Sequence, residues 1–320
     1  MKLVATRLAQ MILVVIAVTL LAFGAMNFLG DPLFNIVGPI ASVDPSELTD
    51  ADRATLDEAS EIYRLDEPFV VRYGLWLTDM ATGDFGTSFE NQVQVSTTLK
   101  NKLPVTIKLM VYAQALAVLV SIPWALWTAS RAYRLVDKAS TVASFAMLGV
   151  PVFALAVILF WLFAVRWDIF PTRFDDSSVW AQVTSMFLPA VSLAIPLIAT
   201  YQRLLRTDLI STLQEDFIAV AQAKGLPKWQ ILFRHALRPS LFSMLTVFGI
   251  QVGALIGGSL VVERYFGLPG IGAEVVEAII RDDFPTVLAV IVVVTVIFVV
   301  VNFLVDLLYG FLDPRVKLDG

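Results

Sequence analysis

The chain has 320 residues, 58% of them apolar and only 16% charged, with a mean hydropathy of +0.77, against about 25% charged in soluble domains. Its formal charge of −5 is segregated by loop, so the average says little about partners and gives no basic surface for nucleic acid. With no Cys and the single His235, disulfides, thiolate catalysis and cysteine-ligated zinc are excluded.

Lys2 and Arg7 precede an uncharged run from Leu8 to Leu29, long enough to cross about 30 Å of hydrocarbon and too long for a signal-peptide core. It reads as a retained first span. Five more candidates follow at Val105–Ala129, Ala139–Val165, Val183–Tyr201, Leu241–Val262 and Pro285–Leu312. The fold class is therefore all-α, a polytopic bundle of six transmembrane helices. The fourth span is the weakest candidate, being short and interrupted by Pro189 and Pro196.

Residues 30–103 form an insert between the first two spans, with thirteen acids against Arg53, Arg64, Arg72 and Lys100 over Gly30–Lys100. Thr49–Tyr63 is polar and helix-prone. Phe69, Tyr73, Trp76, Leu77 and Met80 recur at helical spacing behind Pro68, which predicts an amphipathic helix packed on the ends of the spans or on the membrane surface. The basic residues fall elsewhere: Arg131, Arg134 and Lys138 after span two, Arg203, Arg206, Lys224, Lys228, Arg234 and Arg238 after span four, and Arg315 and Lys317 at the end. By the positive-inside rule these loops and both termini are cytoplasmic, and the acidic insert is extracytoplasmic.

The loop 202–240 is organised like a folded element. Thr212 and Glu215 have capping-box spacing, and Gly225 followed by Pro227 stops a helix, so a short helix is predicted from about Glu215 to Lys224. In span five, Gly249, Gly253 and Gly257 at four-residue intervals form a small-residue face suited to close helix packing. Beyond it, Glu263 to Pro285 is polar and Gly-rich; a turn over Phe266–Gly272 and a short helix over Ala273–Arg281 predict a re-entrant or gate-like segment on the outer face, with Glu263, Leu268, Pro269, Gly270 and Gly272 as its candidate residues.

Lys108 and Asp306 are the charges well inside the predicted spans, which weighs against a secondary transporter built on buried coupling acids. No G-x-x-x-x-G-K-[ST] phosphate loop occurs, so ATP is not bound by that route. Neither a nucleophile–base pair nor a filter-like ring of acids supports an intramembrane enzyme or an ion channel. No catalytic residue, metal site or substrate-binding residue is assigned.

The loop before span five resembles the EAA loop of ABC-importer permeases, with Ala219-Val-Ala221 four residues before Gly225. Its departures, Ala-Lys-Gly-Leu226 and Arg-His-Ala-Leu-Arg238, are similar to the B-type permease subunit of dipeptide and oligopeptide importers. Gly83-Asp-Phe-Gly-Thr-Ser88, Leu188-Pro-Ala190, Leu268-Pro-Gly-Ile-Gly272, Arg281-Asp282, Val305-Asp-Leu-Leu-Tyr309 and Asp313-Pro-Arg315 agree with that subfamily, so the likeness runs along essentially the whole chain. The resemblance implies a type I importer permease: a core over 104–312, a tail at 313–320, and an ATPase-coupling segment comprising Glu215, Asp216, Ala219, Ala221, Ala223, Lys224, Gly225, Leu226, His235, Ala236, Leu237 and Arg238. It also implies a paralogous permease as heterodimer partner, two cytoplasmic ATPases carrying ATP and Mg, an extracytoplasmic solute-binding protein, and residence among the lipids of the cell membrane. Cargo within the family includes nickel chelates, glutathione, haem and oligosaccharides as alternatives to peptides.

Overall fold

The protein is described by a computed structural model covering residues 2–29, 37–44, 47–62 and 64–312; Tyr63, Arg315, Lys317, the Asp313-Pro-Arg315 motif and the tail 313–320 lie outside the described residues. Eleven helical stretches organise these residues: α1 Lys2–Leu29, α2 Asp50–Ile62, α3 Phe69–Thr82, α4 Val95–Ala129, α5 Leu135–Gly149, α6 Val152–Leu159, α7 Val179–Thr212, α8 Asp216–Ala223, α9 Lys228–Phe266, α10 Ile271–Ile280 and α11 Phe284–Leu312. A 3-10 turn spans Gly38–Ser42, and two π-helical segments occur, Phe160–Arg166 after α6 and Ile231–Ala236 within α9.

Among the described residues five helices are long and apolar enough to cross a membrane: α1 (over Thr6–Met26), α4, α7, α9 and α11 (over Phe284–Leu307). The predicted third span, Ala139–Val165, is not one straight helix. It is the pair α5 and α6 with its π extension, bent by 97° at Gly149-Val150-Pro151, and counting that pair as one span gives six. The break has a local cause, because proline disfavours helical conformation in the residue before it, and Val150 is extended at ψ 122°.

The predicted fourth span was too short. α7 runs unbroken through Pro189 and Pro196 for 34 residues, and 61% of its apolar window is buried, the highest share of the five. A helix in the middle of a bundle tolerates prolines because neighbours surround the weakened turns, and Leu188, Pro189, Ala190, Leu193 and Leu197 are all buried.

The chain divides into two compact units. The first comprises Met1–Leu103 with Glu274–Val300, the second Pro104–Ala273 with Val301–Gly320. In the first, the apolar face of α3 packs on α1: Phe23 sits 5.2–5.7 Å from the ring centroids of Phe69, Tyr73 and Trp76, and the Tyr73 and Thr19 hydroxyls are hydrogen-bonded at 2.9 Å. The amphipathic helix predicted behind Pro68 thus forms, and its aromatic face lies on α1 from Ile16 to Phe23. A capping box closes α2, with Thr49 and Asp52 exchanging backbone and side-chain bonds of 3.0 and 3.2 Å. The Thr49 hydroxyl and N–H hold the Asp52 carboxyl below its ordinary range.

The second unit is held by buried polar groups. Helices in lipid gain little from apolar contact, so interhelical hydrogen bonds carry much of the specificity. From α7, Gln202 donates to Thr128 of α4 and Ser140 of α5, both at 3.1 Å, and accepts from Ser144 at 2.8 Å; Tyr201 donates to Gln114 of α4 at 3.0 Å. Arg206 closes the row with a two-pronged ion pair onto Asp137 at the start of α5.

Candidate coupling segment and the Glu263 clamp

The segment after α7 is built differently from its capping-box reading. α7 continues through Thr212, so Thr212 is not an N-cap; its hydroxyl instead meets that of Ser240 at 3.1 Å, and Ser240 donates to the Ala236 carbonyl at 2.9 Å. Glu215 occupies the N-cap of α8 in extended conformation without a side-chain cap bond. Gly225 sits at φ +76°, a conformation glycine adopts without a Cβ penalty, and its N–H bonds the Gln222 carbonyl at 2.9 Å. Pro227 then opens α9, whose second turn widens into the π segment carrying His235.

α8 is apolar on more than one face. Ile218 and Ala221, three residues apart, are buried in the hydrophobic core together with Ile231 and Ala236 of the π segment. Phe217 and Val220 share another face and are about half exposed, as are Trp229 and Phe233 nearby. The remaining predicted residues sort by the same logic: Glu215, Asp216, Ala219, Ala223, Lys224, Gly225 and Arg238 are exposed, while Leu226, His235 and Leu237 are half-buried. The residues predicted from sequence do not include Phe217, Val220, Trp229 or Phe233. Their signal was present as bulky side chains out of phase with the buried stripe.

A second constellation lies at the other end of α9. Glu263, expected in a polar loop, belongs to the last turn of α9 and is fully buried. Its Oε2 accepts the N–H groups of Gly272 at 2.7 Å and Ala273 at 3.1 Å, the free donors of the first turn of α10. The chain turns back through Gly267 at φ +64°, with the Leu268 N–H on the Glu263 carbonyl at 2.9 Å and the Leu268 side chain in the core. Thr106 of α4 receives the Ile271 N–H on its hydroxyl oxygen at 2.9 Å.

The glycines of this turn are required by close approach. A Cβ on Gly270 would land on the Glu263 carboxylate and 2.7 Å from Thr106 Oγ1; one on Gly272 would lie 2.7 Å from Glu263 Oε2 and 3.0 Å from Leu260 Cα. Pro269, just before Gly270, stiffens the turn. The residues of the Glu263/Leu268–Gly272 motif thus form one clamp. The stripe of span five divides: Gly249 lies against Asn302 and Val305, Gly253 is half-buried, and Gly257 is exposed with nothing within 4 Å of its Cβ position.

In the first unit, Asp283 is a buried carboxylate that the sequence reading did not select. It accepts from the Ser88 hydroxyl at 2.6 Å, the Phe89 N–H at 3.0 Å and the Thr286 hydroxyl at 2.7 Å, so the Gly83–Ser88 motif is tied to the start of α11. The first unit also holds the ion pairs Glu90–Arg281 and Lys102–Glu274.

Residues 121–318 match the family described as binding-protein-dependent transport system inner membrane component. The chain is similar to the oligopeptide transport system permease protein AppB of Bacillus subtilis, 33% identical with 95% of both chains covered. It is also similar to the dipeptide transport system permease proteins DppB of Alkalihalophilus pseudofirmus, 30% identical over 97% of this chain and 98% of that one, and of Bacillus subtilis, 35% identical over 80% and 82%. The chain belongs to the binding-protein-dependent transport system inner membrane component family.

Proposed function

We propose that this family member is one permease subunit of an ATP-driven peptide importer, forming half of the translocation pathway beside a paralogous permease. Two separate ATPase chains carry ATP and Mg, and an extracytoplasmic binding protein delivers the cargo. The reading rests on one observation above the others: α8 and the π turn are seated in the core by Ile218, Ala221, Ile231 and Ala236 while presenting Phe217, Val220, Trp229 and Phe233 outward. An apolar patch on a short element anchored in the core, between two spans, suits a protein groove that moves it. Closure of the ATPases then displaces α8, and its seat in the core passes the displacement to α7 and α9.

The basic residues Arg131, Arg134, Lys138, Arg203, Lys224, Lys228, Arg234 and Arg238 support a cytoplasmic position for this segment and for both termini. Peptide cargo is supported by the relatives, whose names specify oligopeptide and dipeptide transport. The insert 30–103 and the Glu263 clamp then lie on the extracytoplasmic side, and the stripe of Gly249, Gly253 and Gly257 offers its exposed end at Gly257 to the second permease.

The test is affinity purification with reconstituted uptake. Wild type brings down two ATPase chains and one similar-sized permease, and takes up labelled di- to pentapeptides in preference to nickel chelates and oligosaccharides. Phe217→Glu abolishes ATPase recovery while the chain stays in the membrane. Full ATPase recovery by Phe217→Glu would refute the docking role, and uptake of only the non-peptide controls would refute the cargo.

A further inference from the structure

The second unit carries a short row of cations that runs into an exposed apolar strip. Arg134, Lys138, Thr141 and Phe145 follow one another at helical spacing, which lines them along one edge of α5, and the Lys138 N–H bonds the Arg134 carbonyl at 3.1 Å. The packed side of the helix is a different one, where Asp137, Ser140 and Ser144 are buried against α7. Asp137 meets Arg206 and Ser144 meets Gln202, so α5 and α7 run antiparallel. Arg203, next to Gln202, reaches round to the exposed edge, its guanidinium carbon 5.0 Å from the centre of the Phe145 ring.

Three observations narrow what this edge binds. Arg134, Lys138 and Arg203 are all exposed, and among the described residues none of them is ion-paired. Asp137, their neighbour in sequence, is buried and already engaged by Arg206 and by the Tyr133 N–H at 2.7 Å, so it is not available to a headgroup ammonium. Val142 and Phe145 continue from the cations as bare apolar surface, 69% and 56% exposed, on the first half of the bent spanning pair. From Lys138 to Phe145 the helix rises by about 10 Å, so charge and hydrocarbon surface lie within reach of one lipid molecule.

We propose that this edge of α5 binds a phosphatidylglycerol-type lipid, anionic and without a headgroup cation, from the adjoining leaflet, with its phosphate among Arg134, Lys138 and Arg203 and an acyl chain along Val142 and Phe145. Guanidinium N–H groups match phosphate oxygens, and the Lys138 ammonium adds donors of its own. Phosphatidylethanolamine and phosphatidylcholine bring a further cation into a seat that already holds three. A soluble phosphate leaves the apolar strip uncovered. An acidic protein surface would satisfy the cations, but the strip belongs to a spanning pair, whose exposed apolar flank is matched by acyl chains. Bound there, the phosphate bridges α5 and α7 beside the Asp137–Arg206 pair and makes their packing sensitive to the anionic lipid content of the membrane. The inference depends neither on the cargo nor on what α8 docks against.

The experiment uses the full chain in phosphatidylcholine nanodiscs doped with phosphatidylglycerol or phosphatidylethanolamine, with retained lipid read by native mass spectrometry. Wild type enriches phosphatidylglycerol at least about tenfold over the bulk ratio and leaves phosphatidylethanolamine at bulk. Lys138→Gln and Arg203→Gln each lower that enrichment about fivefold, the factor for one basic residue near an anionic headgroup, and Arg203→Lys keeps the charge and most of the enrichment. Lys138 is exposed, so its variant carries the test alone if Arg203→Gln does not fold. Lys228→Gln, which removes an exposed cation from the loop after α7, leaves enrichment unchanged, and millimolar glycerol phosphate does not displace the lipid. Bulk-ratio retention in wild type, unchanged enrichment in Lys138→Gln, an equal fall in Lys228→Gln or displacement by glycerol phosphate would each overturn the assignment. So would loss of the lipid from the purified assembly with its partner subunits, which would mean that a protein covers this edge.

Discussion

Replacing Glu263 with Ala tests whether the clamp holds the turn between α9 and α10. The change strands the Gly272 and Ala273 N–H groups, which the carboxylate accepts at 2.7 and 3.1 Å. Leaving a buried donor unpaired costs about 1–3 kcal/mol, so two such losses lower the opening free energy of the turn by about 2–6 kcal/mol. The chain lacks Cys, so Leu268→Cys, at a core position, gives a single reporter thiol for maleimide labelling in detergent. Against that background, Glu263→Ala speeds labelling by at least about thirtyfold, the factor that 2 kcal/mol represents. Gly270→Ala has the same effect, because its Cβ would occupy the carboxylate position, whereas Gly257→Ala in the same helix meets nothing within 4 Å and leaves labelling at the reporter's own rate. Slow labelling in Gly270→Ala, or equally fast labelling in Gly257→Ala, refutes the clamp.

At Gly225, φ +76° lies outside what proline can adopt, so Gly225→Pro leaves the chain inserted but separates ATP hydrolysis from uptake; parallel phosphate-release and uptake assays check this, and coupled wild-type uptake would contradict it. Gly225→Ala, strained by about 1–2 kcal/mol in the left-handed region, reduces coupling without abolishing it. Arg206→Ala leaves Asp137 buried without its guanidinium and destabilises by about 3–5 kcal/mol, seen as a lower melting temperature in detergent; pairing it with Asp137→Asn restores most of the loss. Tyr73→Phe keeps the ring cluster and loses the bond to Thr19, costing about 0.5–1.5 kcal/mol by the same melting assay. Phe23→Ala, which removes the ring that Phe69, Tyr73 and Trp76 contact, costs about 3–5 kcal/mol.

The spans were legible because hydropathy integrates over twenty residues and local detail averages out. That averaging also hides the bend in the third span: Gly149-Val150-Pro151 is a strong break signal, but the apolar run on both sides outweighs it. α7 was underestimated for the opposite reason. Its Ser, Thr, Gln and Pro residues lower its hydropathy, yet a helix surrounded by others needs Gln202 and Tyr201 as partners for Thr128, Ser140, Ser144 and Gln114. Thr-x-x-Glu was read as a cap at Thr212, where the preceding helix had not ended; the box that does form, at Thr49, follows a non-helical residue. Gly225, Gly270 and Gly272 were legible as spaced motifs. Asp283 was not, since nothing near it in sequence announces Ser88, 195 residues away.

Asp137, Glu263 and Asp283 share one arrangement. Each is a buried carboxylate at or beside a helix end, met by charge-assisted bonds from Arg206, from the first turn of α10, or from Ser88, Phe89 and Thr286. In lipid the flanks of helices are held by weak, non-directional contacts, whereas such bonds at helix ends are directional and lost all at once. A transporter must let its spans shift relative to one another while the elements that receive and pass on force stay rigid. Placing the strong bonds at the turns and the small or apolar residues along the flanks meets both demands. It follows that substitutions at these three acids disorder the joints and loosen coupling, while those along an exposed flank, such as Gly257→Ala, leave the joints intact.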